Sequence, residues 1–487
     1  MRVLNLLLLL LLTIYPIHAQ VGTYKETVGV EEIQADFDLL WEALNTYHPG
    51  LYLHRSEQEL LEIRNNLKSS ITEPITRGQW FLKLSHFTHE IRCGHTYPNP
   101  YNQPGRWILS IYEEPVLLPF TFSLVDQHMV VTESFIPEIE KGDVVSSISG
   151  IDVHEIIYTL TPYVKGDGNR EETRRLDLAT DNWRKYKPFD YLFALHYSYK
   201  DSVEIELDDN LGSSYFPLIR DAERQEFIAD QGIEVRNNYD EFWSYSEQNN
   251  IGYLKLGTFA AWQFSFDWEE YLQDIFTSLN ESNVESLIID LRGNSGGLGE
   301  VRDKLLSYII NEKVVYPSID TYSIYRKVPK EWRSILNTYN PAMYNLAWKT
   351  RLNLEGNRVR YFGGQRGSTI KPNKQAFQGK VVILVDASNS SATYQMSALL
   401  QNQKLATLIG GETGGSSKGI TGGQYFFMEL PNTKVEVDIP LLAYHTGNDE
   451  DVPIYPDIVA KQTLEDAING VDRVRMVAEA WLINQPK

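Results

Sequence analysis

Continuous apolar runs alternate with helical patterns along the C-terminal half of the chain, and this alternation restricts the fold most strongly. The runs IGYLKL, LIIDL and KVVILV are each followed by a segment with the apolar spacing of a helix. Strands that are apolar along their whole length are typical of a sheet covered on both faces. The pattern therefore predicts an α/β core with a buried sheet, which we assign to residues 235–487. A weakly periodic segment at about 313–378, rich in Tyr and Arg, is expected to be an insertion over the site.

Two further units are predicted ahead of this core, and a chain of 487 residues is long enough for several domains. Residues 20–112 are predicted to be helical, since Ile33, Phe37 and Leu40 follow helical spacing, and they include the irregular loop RCGHTYPNP. Residues 113–215 contain short alternating runs separated by turns, which is typical of a β module. The chain is thus predicted to be a multidomain α/β protein.

The first twenty residues, MRVLNLLLLLLLTIYPIHAQ, have the layout of a signal peptide. One Arg precedes an unbroken apolar run, and Ala19 precedes the expected cleavage point, so residues 1–19 are assigned to the signal peptide. The apolar run is too short to span a membrane comfortably, and no second hydrophobic span follows it. We therefore expect an exported protein without a membrane span, located in a periplasm or outside the cell.

Charge and cysteine content limit the partners and the covalent structure of the chain. The net charge of −20 opposes binding to nucleic acid, because proteins that bind it need basic faces. Cys93 is the only cysteine, so an internal disulfide is excluded. Stability must therefore come from packing.

A cluster of serines in the segment ILVDASNSSATYQMSALLQ, residues 383–401, lies between an apolar run and a helical pattern. Ser388, Ser390 and Ser391 are good helix-capping residues, which is one explanation for their position. The other is that one of them is a nucleophile, with backbone N–H groups at the helix start to hold an oxyanion. The cluster alone does not decide between the two.

A second small-residue turn follows another apolar run, in LIIDLRGNSGG. Gly296 and Gly297 permit close approach of backbone to a ligand, although an ordinary strand-to-helix turn explains them equally well. A phosphate loop is disfavoured because the Lys-Ser/Thr ending is missing. Two such turns would lie side by side at one edge of a parallel sheet, where ligands bind. One turn would then supply the serine and the other an N–H group.

A nucleophilic serine needs a base, and His95 is the strongest candidate because it lies in the irregular loop CGHT, off any periodic face. An ordinary surface histidine is the alternative. The set His86, His89, Cys93 and His95 could also bind zinc, which would make the chain a zinc hydrolase. The spacing of that set fits no established ligand pattern, so no metal is expected.

Several motifs together resemble one family. They are DLRGNSGG, SSAT before a helix, IGGETGG, LPNTKVEVDIPL and YPDIVAKQTLEDAINGVD, preceded by DFDLLWEALNTYHPGL, CGHT and KGDVVSSISGIDV. The chain resembles the C-terminal processing (tail-specific) serine peptidases, on the branch nearer the tricorn-core and interphotoreceptor retinoid-binding proteins. The resemblance covers nearly all of the chain after residue 19. It implies a crotonase-like α/β core and a PDZ-like domain at residues 113–215.

The resemblance also implies roles for individual residues. Ser391 matches the nucleophile, and His95 matches the base. The oxyanion donors would be Ala392 with Gly296 or Gly297. Glu450 or Asp451, ahead of the PDI motif, would orient the base. In the tail-specific branch a lysine is the base, and Lys418 is the residue that would take this role.

This chain departs from the family pattern in several places, among them the glycine pattern of the loop that contains Lys418 and the missing Gly ahead of the PDI motif. Tyr394 replaces a Glu of the tail-specific branch, and Cys93 replaces an Asp common in the histidine loop. A histidine has an ordinary pKa of ~6.5, whereas a lysine at ~10.4 needs a desolvating site. Because Lys418 lies in the polar loop GGSSKG, we favour His95 as the base.

We therefore expect a secreted serine endopeptidase that acts on polypeptides without a metal or organic cofactor. A non-catalytic protein that binds a ligand or peptide on the same fold is the alternative, because a fold does not determine a function. The sequence does not indicate the oligomeric state.

Overall fold

A computed structural model describes residues 23–181, 187–208, 212–230, 239–282, 284–316, 321–350, 357–362 and 369–484. The predicted signal peptide, residues 1–19, lies outside these ranges. Within them, no helix has both the length and the apolar character needed to cross a membrane.

The helices and strands fall into three groups along the chain. The first contains β1 (Thr27–Val28), α1 (Val30–Tyr47), α2 (Glu57–Ser70), β2 (Ile75–Thr76) and α3 (Arg77–Ile91). The second contains β3 (Phe120–Val125), β4 (His128–Ser134), β5 (Val144–Ile148), β6 (Ile151–Asp152), α4 (Val153–Leu160), α5 (Glu171–Leu178), α6 (Pro188–Tyr197), β7 (Ser202–Leu207), β8 (Ser213–Pro217) and α7 (Asp221–Asp230). The third contains β9 (Trp243–Gln248), β10 (Ile251–Leu256), α8 (Trp268–Glu281), β11 (Ser286–Asp290), α9 (Gly299–Ile309), β12 (Val314–Val315), β13 (Thr321–Ser323), β14 (Leu336–Asn337), β15 (Val359–Arg360), β16 (Thr369–Ile370), β17 (Lys380–Val385), α10 (Ser391–Asn402), β18 (Thr407–Gly410), β19 (Gly419–Glu429), β20 (Glu436–His445), β21 (Ile458–Val459), α11 (Leu464–Ile468) and α12 (Arg473–Asn484).

The buried sheet predicted for the C-terminal half is confirmed. Its six strands have the order β21-β18-β17-β11-β10-β9, and all neighbours are parallel except β9 with β10. Ile289 packs in a cluster with residues of α8, α9 and α10, whereas its neighbour Ile288 packs in a separate cluster with residues of α12. Both faces of β11 are therefore covered, which explains why its sequence is apolar without alternation.

The N-terminal helices form as the sequence pattern predicts. Ile33, Phe37 and Leu40 of α1 are fully buried. The helices α2 and α3 begin with capping boxes at Ser56 and Thr76, whose side chains accept backbone N–H groups of the first turn. The middle β module is an antiparallel sheet of order β3-β4-β5-β7-β8, with β6 paired to β5, and it shares one hydrophobic core with these helices.

A second, five-stranded sheet has the order β14-β19-β20-β13-β15. Its long hairpin β19–β20 lies within the predicted core at residues 235–487, yet Phe426 and Ile439 pack in the same cluster as the N-terminal helices. The strands β13, β14 and β15 come from the expected insertion, and they extend this sheet rather than only covering a site. Local periodicity does not predict which distant strands will pair, so the sequence pattern could not show this arrangement.

Asp36 connects α1 to the turn of that hairpin. Its fully buried carboxylate accepts the backbone N–H of Thr433 at 2.7 Å and the side-chain amide of Asn432 at 2.9 Å. We expect Asp36→Ala to lower the free energy of unfolding by about 2–4 kcal/mol, because it leaves buried N–H groups unpaired. Asp38→Ala, which removes surface ion pairs to Arg64 and Lys68, should cost about 0–1 kcal/mol. Urea unfolding of both variants measures the difference, and equal losses would contradict the role given to Asp36.

Candidate active site

The two small-residue turns that follow β11 and β17 lie side by side, because these strands are parallel neighbours with Asp290 opposite Leu384. The side-chain amide of Asn389 donates to the backbone carbonyls of Leu291 at 2.5 Å and Asn294 at 3.0 Å. The Asn294 amide in turn donates to the Leu256 carbonyl at 2.8 Å. These hydrogen bonds from buried side-chain amides fix the position of the two turns relative to each other.

Ser391 is the first residue of α10 and has a φ of +51°, in the left-handed region. A non-glycine residue in this region is strained, and such strain is concentrated at functional sites. Gly296 packs directly against it, since a Cβ on Gly296 would lie 2.9 Å from the Ser391 Cβ and 3.0 Å from the Ala392 nitrogen. The neighbouring Ser390 hydroxyl donates to the Ser295 carbonyl at 3.0 Å. The Ser391 hydroxyl makes no hydrogen bond to a described residue.

Two backbone N–H groups beside Ser391 are open. Ala392 lies in the first turn of α10, where N–H groups have no acceptor within the helix. Gly297 has a φ of +139° and is exposed. Neither N–H donates to any residue in the described ranges. The Gly296 N–H differs, because it donates to the Asn294 side-chain oxygen at 2.8 Å. Of the predicted oxyanion donors, Ala392 and Gly297 are therefore the available pair.

His95 lies in the loop after α3, which ends when Arg92 adopts a left-handed conformation. Its ring packs near Tyr425, with ring centroids 5.9 Å apart, and its Nδ1 is buried without a hydrogen-bond partner among the described residues. Burial lowers the pKa of His95 below its ordinary value, and the nearby Lys165 acts in the same direction, while the Asp167 carboxylate opposes the shift. The imidazole is therefore held in its neutral form, which a base requires.

One cavity of about 100 Å³ joins the histidine loop to the serine turn. It is lined by residues of both, among them Gly94, His95, Asp167, Ser295, Ser388 and Ser390. No hydrogen bond connects His95 with Ser391 in the described part of the chain. Such bonds are often long before substrate binds. The cavity brings His95 next to Ser390, the residue before Ser391, while Ser391 itself does not line it.

The acids predicted to orient His95 lie elsewhere. Asp451 pairs with the Arg170 guanidinium at 2.7 Å and lies 3.5 Å from Nδ1 of His54. Glu450 is exposed, and its backbone carbonyl accepts the Ser417 hydroxyl at 2.6 Å. The structure thus brings neither residue into contact with His95, because the chain ahead of the PDI motif packs on the loop at residues 168–170 instead.

Asp167 is the carboxylate beside His95, and sequence reasoning missed it. It accepts the Gly94 N–H at 2.8 Å and is the acidic group that acts on the His95 pKa. Asp167 belongs to the middle β module, far from His95 along the chain. The only local signal is its place between two glycines in KGDGN, an aperiodic segment that resembles the histidine loop in composition.

Neither Lys418, the alternative base, nor His86 and His89 of the alternative zinc set line this cavity. Nζ of Lys418 donates to the Leu53 carbonyl at 3.4 Å, and Lys418 does not line the cavity. The rings of His86 and His89 stack on each other at 6.5 Å, and Nδ1 of His89 lies 3.2 Å from the Val164 carbonyl. The predicted set of three histidines and one cysteine therefore does not form a single cluster.

Residues 250–460, which include both turns, match the model of peptidase family S41. This segment belongs to peptidase family S41. The resemblance to the C-terminal processing serine peptidases is confirmed, and the chain is a serine-type peptidase. The family acts on polypeptides, in agreement with the expected substrate class.

Solved structures share the fold of this chain over nearly its whole length. A crystal structure of a CPAF mutant has a TM-score of 0.63 and 15% identity, and the match covers 94% of this chain and 99% of that chain. The structure of mature CPAF complexed with lactacystin gives a TM-score of 0.61, with the same identity and coverage. At this identity the likeness shows the fold alone. Among curated proteins, the comparison finds no match.

Proposed function

We propose that this S41 peptidase is an exported endopeptidase that cleaves polypeptides through Ser391, with His95 as the base and the N–H groups of Ala392 and Gly297 as the oxyanion hole. The observation that carries the proposal is the strained Ser391 at the start of α10, with the open N–H of Ala392 directly after it and that of Gly297 in the turn that packs against it. A protein that only binds ligands has no need of a strained serine next to unpaired donors.

The proposed reaction is acyl transfer in two steps. Neutral His95 accepts the Ser391 hydroxyl proton as Oγ attacks the peptide carbonyl, and the resulting oxyanion accepts hydrogen bonds from Ala392 and Gly297. Collapse of this intermediate breaks the C–N bond, and His95 returns the proton to the leaving amine. Water then repeats the sequence on the acyl-enzyme and frees Ser391.

Asp167 is proposed to position His95 and to stabilise the imidazolium that forms. Since its negative charge raises the His95 pKa, Asp167→Asn should lower that pKa further. We expect kcat to fall about 10-fold to 100-fold and the acidic limb of kcat/KM to move to lower pH. An unchanged limb in a folded variant would contradict this role.

Asp451 is proposed to act on the active site indirectly, through its ion pair with Arg170. Besides pairing with Arg170, Asp451 accepts the Asn169 N–H at 3.2 Å, so it fixes the segment that follows Asp167. The family resemblance implies that Glu450 or Asp451 orients His95. In this proposal Asp451 instead supports the loop at residues 168–170. Lys418 remains the alternative base.

The finer architecture and the location are also proposals. The parallel order of β10, β11, β17 and β18 supports a crotonase-like core, and the antiparallel module with α4 supports a PDZ-like domain. Export is proposed from the signal-peptide layout of residues 1–19, a segment that is removed when a secreted chain matures. N-terminal sequencing of the secreted protein tests it, with Gln20 as the expected first residue.

Fluorophosphonate labelling followed by peptide mapping tests the proposed function. The label should be found on Ser391 in the folded protein and should not form after heat denaturation, because an ordinary serine is unreactive. Label on a different serine would contradict the site. Peptide hydrolysis that a chelator abolishes, without labelling, would indicate the zinc hydrolase instead. Ligand binding with neither labelling nor hydrolysis would indicate a non-catalytic protein.

A further inference from the structure

Three potential metal ligands meet at the proposed base. Sγ of Cys93, a ring nitrogen of His95 and a carboxylate oxygen of Asp167 all lie within 4.8 Å of one another. Thiolate, imidazole and carboxylate are the ligand types that Zn²⁺ takes in proteins. This set is not the one that the sequence suggested, because Asp167 replaces His86 and His89.

A second observation points to a missing ligand at the same place. The buried Nδ1 of His95 has no hydrogen-bond partner among the described residues. An unsatisfied buried polar atom is destabilising, so native structures rarely leave one without a reason. The Cys93 thiol, in contrast, donates to the Thr421 carbonyl at 3.9 Å, a normal length for sulfur.

We propose that Cys93, His95 and Asp167 bind one Zn²⁺ ion and that this ion reversibly inhibits the peptidase. The inhibitory part rests on the proposed function, in which His95 is the base. Zinc bonds of about 2.0–2.3 Å need ligand atoms closer than those in the empty cluster, so the three side chains must draw together by about 1 Å. A water molecule completes the four positions.

Inhibition follows from the chemistry of the imidazole ring. Neutral imidazole has one basic lone pair, and the nitrogen that does not bind the metal carries the proton. Whichever nitrogen binds zinc, His95 can no longer accept the Ser391 proton. The Cys93 thiol loses its proton as the Zn–S bond forms, and solvent takes up that proton. Asp167 already accepts the Gly94 N–H through Oδ1, which leaves Oδ2 for the metal.

Cobalt provides a test that does not depend on activity. Titration of the metal-free protein with Co²⁺ should produce a sulfur-to-cobalt charge-transfer band that saturates at one ion per chain. Cys93→Ala should abolish this band, and Asp167→Asn should weaken Co²⁺ binding about 10-fold to 100-fold. His128→Asn, which removes an exposed histidine, should leave the titration unchanged.

Zinc inhibition of peptide cleavage is the second test, and it measures the effect of the metal on activity. Zn²⁺ should inhibit the wild type and a chelator should restore activity. Cys93→Ala should keep its activity without zinc while its inhibition constant rises about 10-fold to 100-fold or more. Equal inhibition of wild type and Cys93→Ala, or saturating Co²⁺ binding without a sulfur band, would overturn the proposal.

The two tests separate the metal site from the proposed function. If the wild type cleaves no peptide, the proposed function fails, while the cobalt band and its loss in Cys93→Ala still establish or refute the site. If Cys93→Ala does not fold, Cys93→Ser replaces it, because a serine hydroxyl cannot give the sulfur band.

Discussion

Ser391→Ala is expected to abolish peptide cleavage and fluorophosphonate labelling, with a fall in kcat of about 10⁴-fold to 10⁶-fold. The substitution removes the attacking oxygen, and binding with the oxyanion hole accounts for whatever rate remains. Alanine and serine tolerate a φ of +51° equally poorly, so the change adds little backbone strain. Thermal unfolding should therefore be close to that of the wild type, which separates loss of chemistry from loss of fold.

Ser388→Ala is the matched control for this result. Ser388 lines the cavity between the histidine loop and the serine turn, but its φ is not in the left-handed region and it lies outside α10. Its variant should retain activity within about 3-fold of wild type, since surface substitutions away from reacting atoms have small effects. An active Ser391→Ala protein, or an inactive but folded Ser388→Ala protein, would show that the wrong serine has been assigned.

His95→Ala is expected to reduce kcat about 10³-fold to 10⁵-fold, whereas Lys418→Ala should change it little. His95 lines the cavity next to the serine turn, and the Lys418 ammonium contacts the Leu53 carbonyl instead. Both variants should be compared with wild type in single-turnover assays, which separate chemistry from product release.

The pH dependence of the wild type provides an independent check on His95. Because burial lowers the His95 pKa below 6.5, the base stays neutral into mildly acidic solution. The acidic limb of kcat/KM should therefore lie below pH 6.5 and disappear with His95→Ala. If Lys418→Ala is inactive and His95→Ala is active, the enzyme uses a Ser–Lys pair and the site assignment is wrong.

The sequence was most informative where local pattern and tertiary structure coincide. The apolar strands β11 and β17 predicted a buried sheet, and the small residues after them predicted two adjacent turns. Parallel pairing then brings the two turns together, so Gly296 meets Ser391 as expected. These features depend on short segments whose composition predicts a single local structure, a buried strand or a tight turn.

The sequence was least informative where separate units meet. Asp167 contacts the histidine loop only because the middle module folds against the N-terminal helices, and no local period records that contact. The family pattern directed attention to Glu450 and Asp451, yet Arg170 draws the Asp451 carboxylate away from His95. Between the two glycines predicted as oxyanion donors, the sequence could not choose; the Asn294 side-chain oxygen accepts the Gly296 N–H, which leaves the Gly297 N–H for the proposed oxyanion hole.

The hairpin β19–β20 has a consequence for the timing of activity during synthesis. His95 leaves the ribosome before Ser391, but its ring packs on Gly422 and Tyr425 of β19, which follow Ser391 in the chain. A ribosome-bound chain in which the N-terminal helices and the middle module have already folded therefore lacks β19, which contacts His95 in the proposed active site. Since domains fold from the N-terminus as they emerge, the surroundings of His95 are completed only after β19 has been synthesised, later than Ser391 itself.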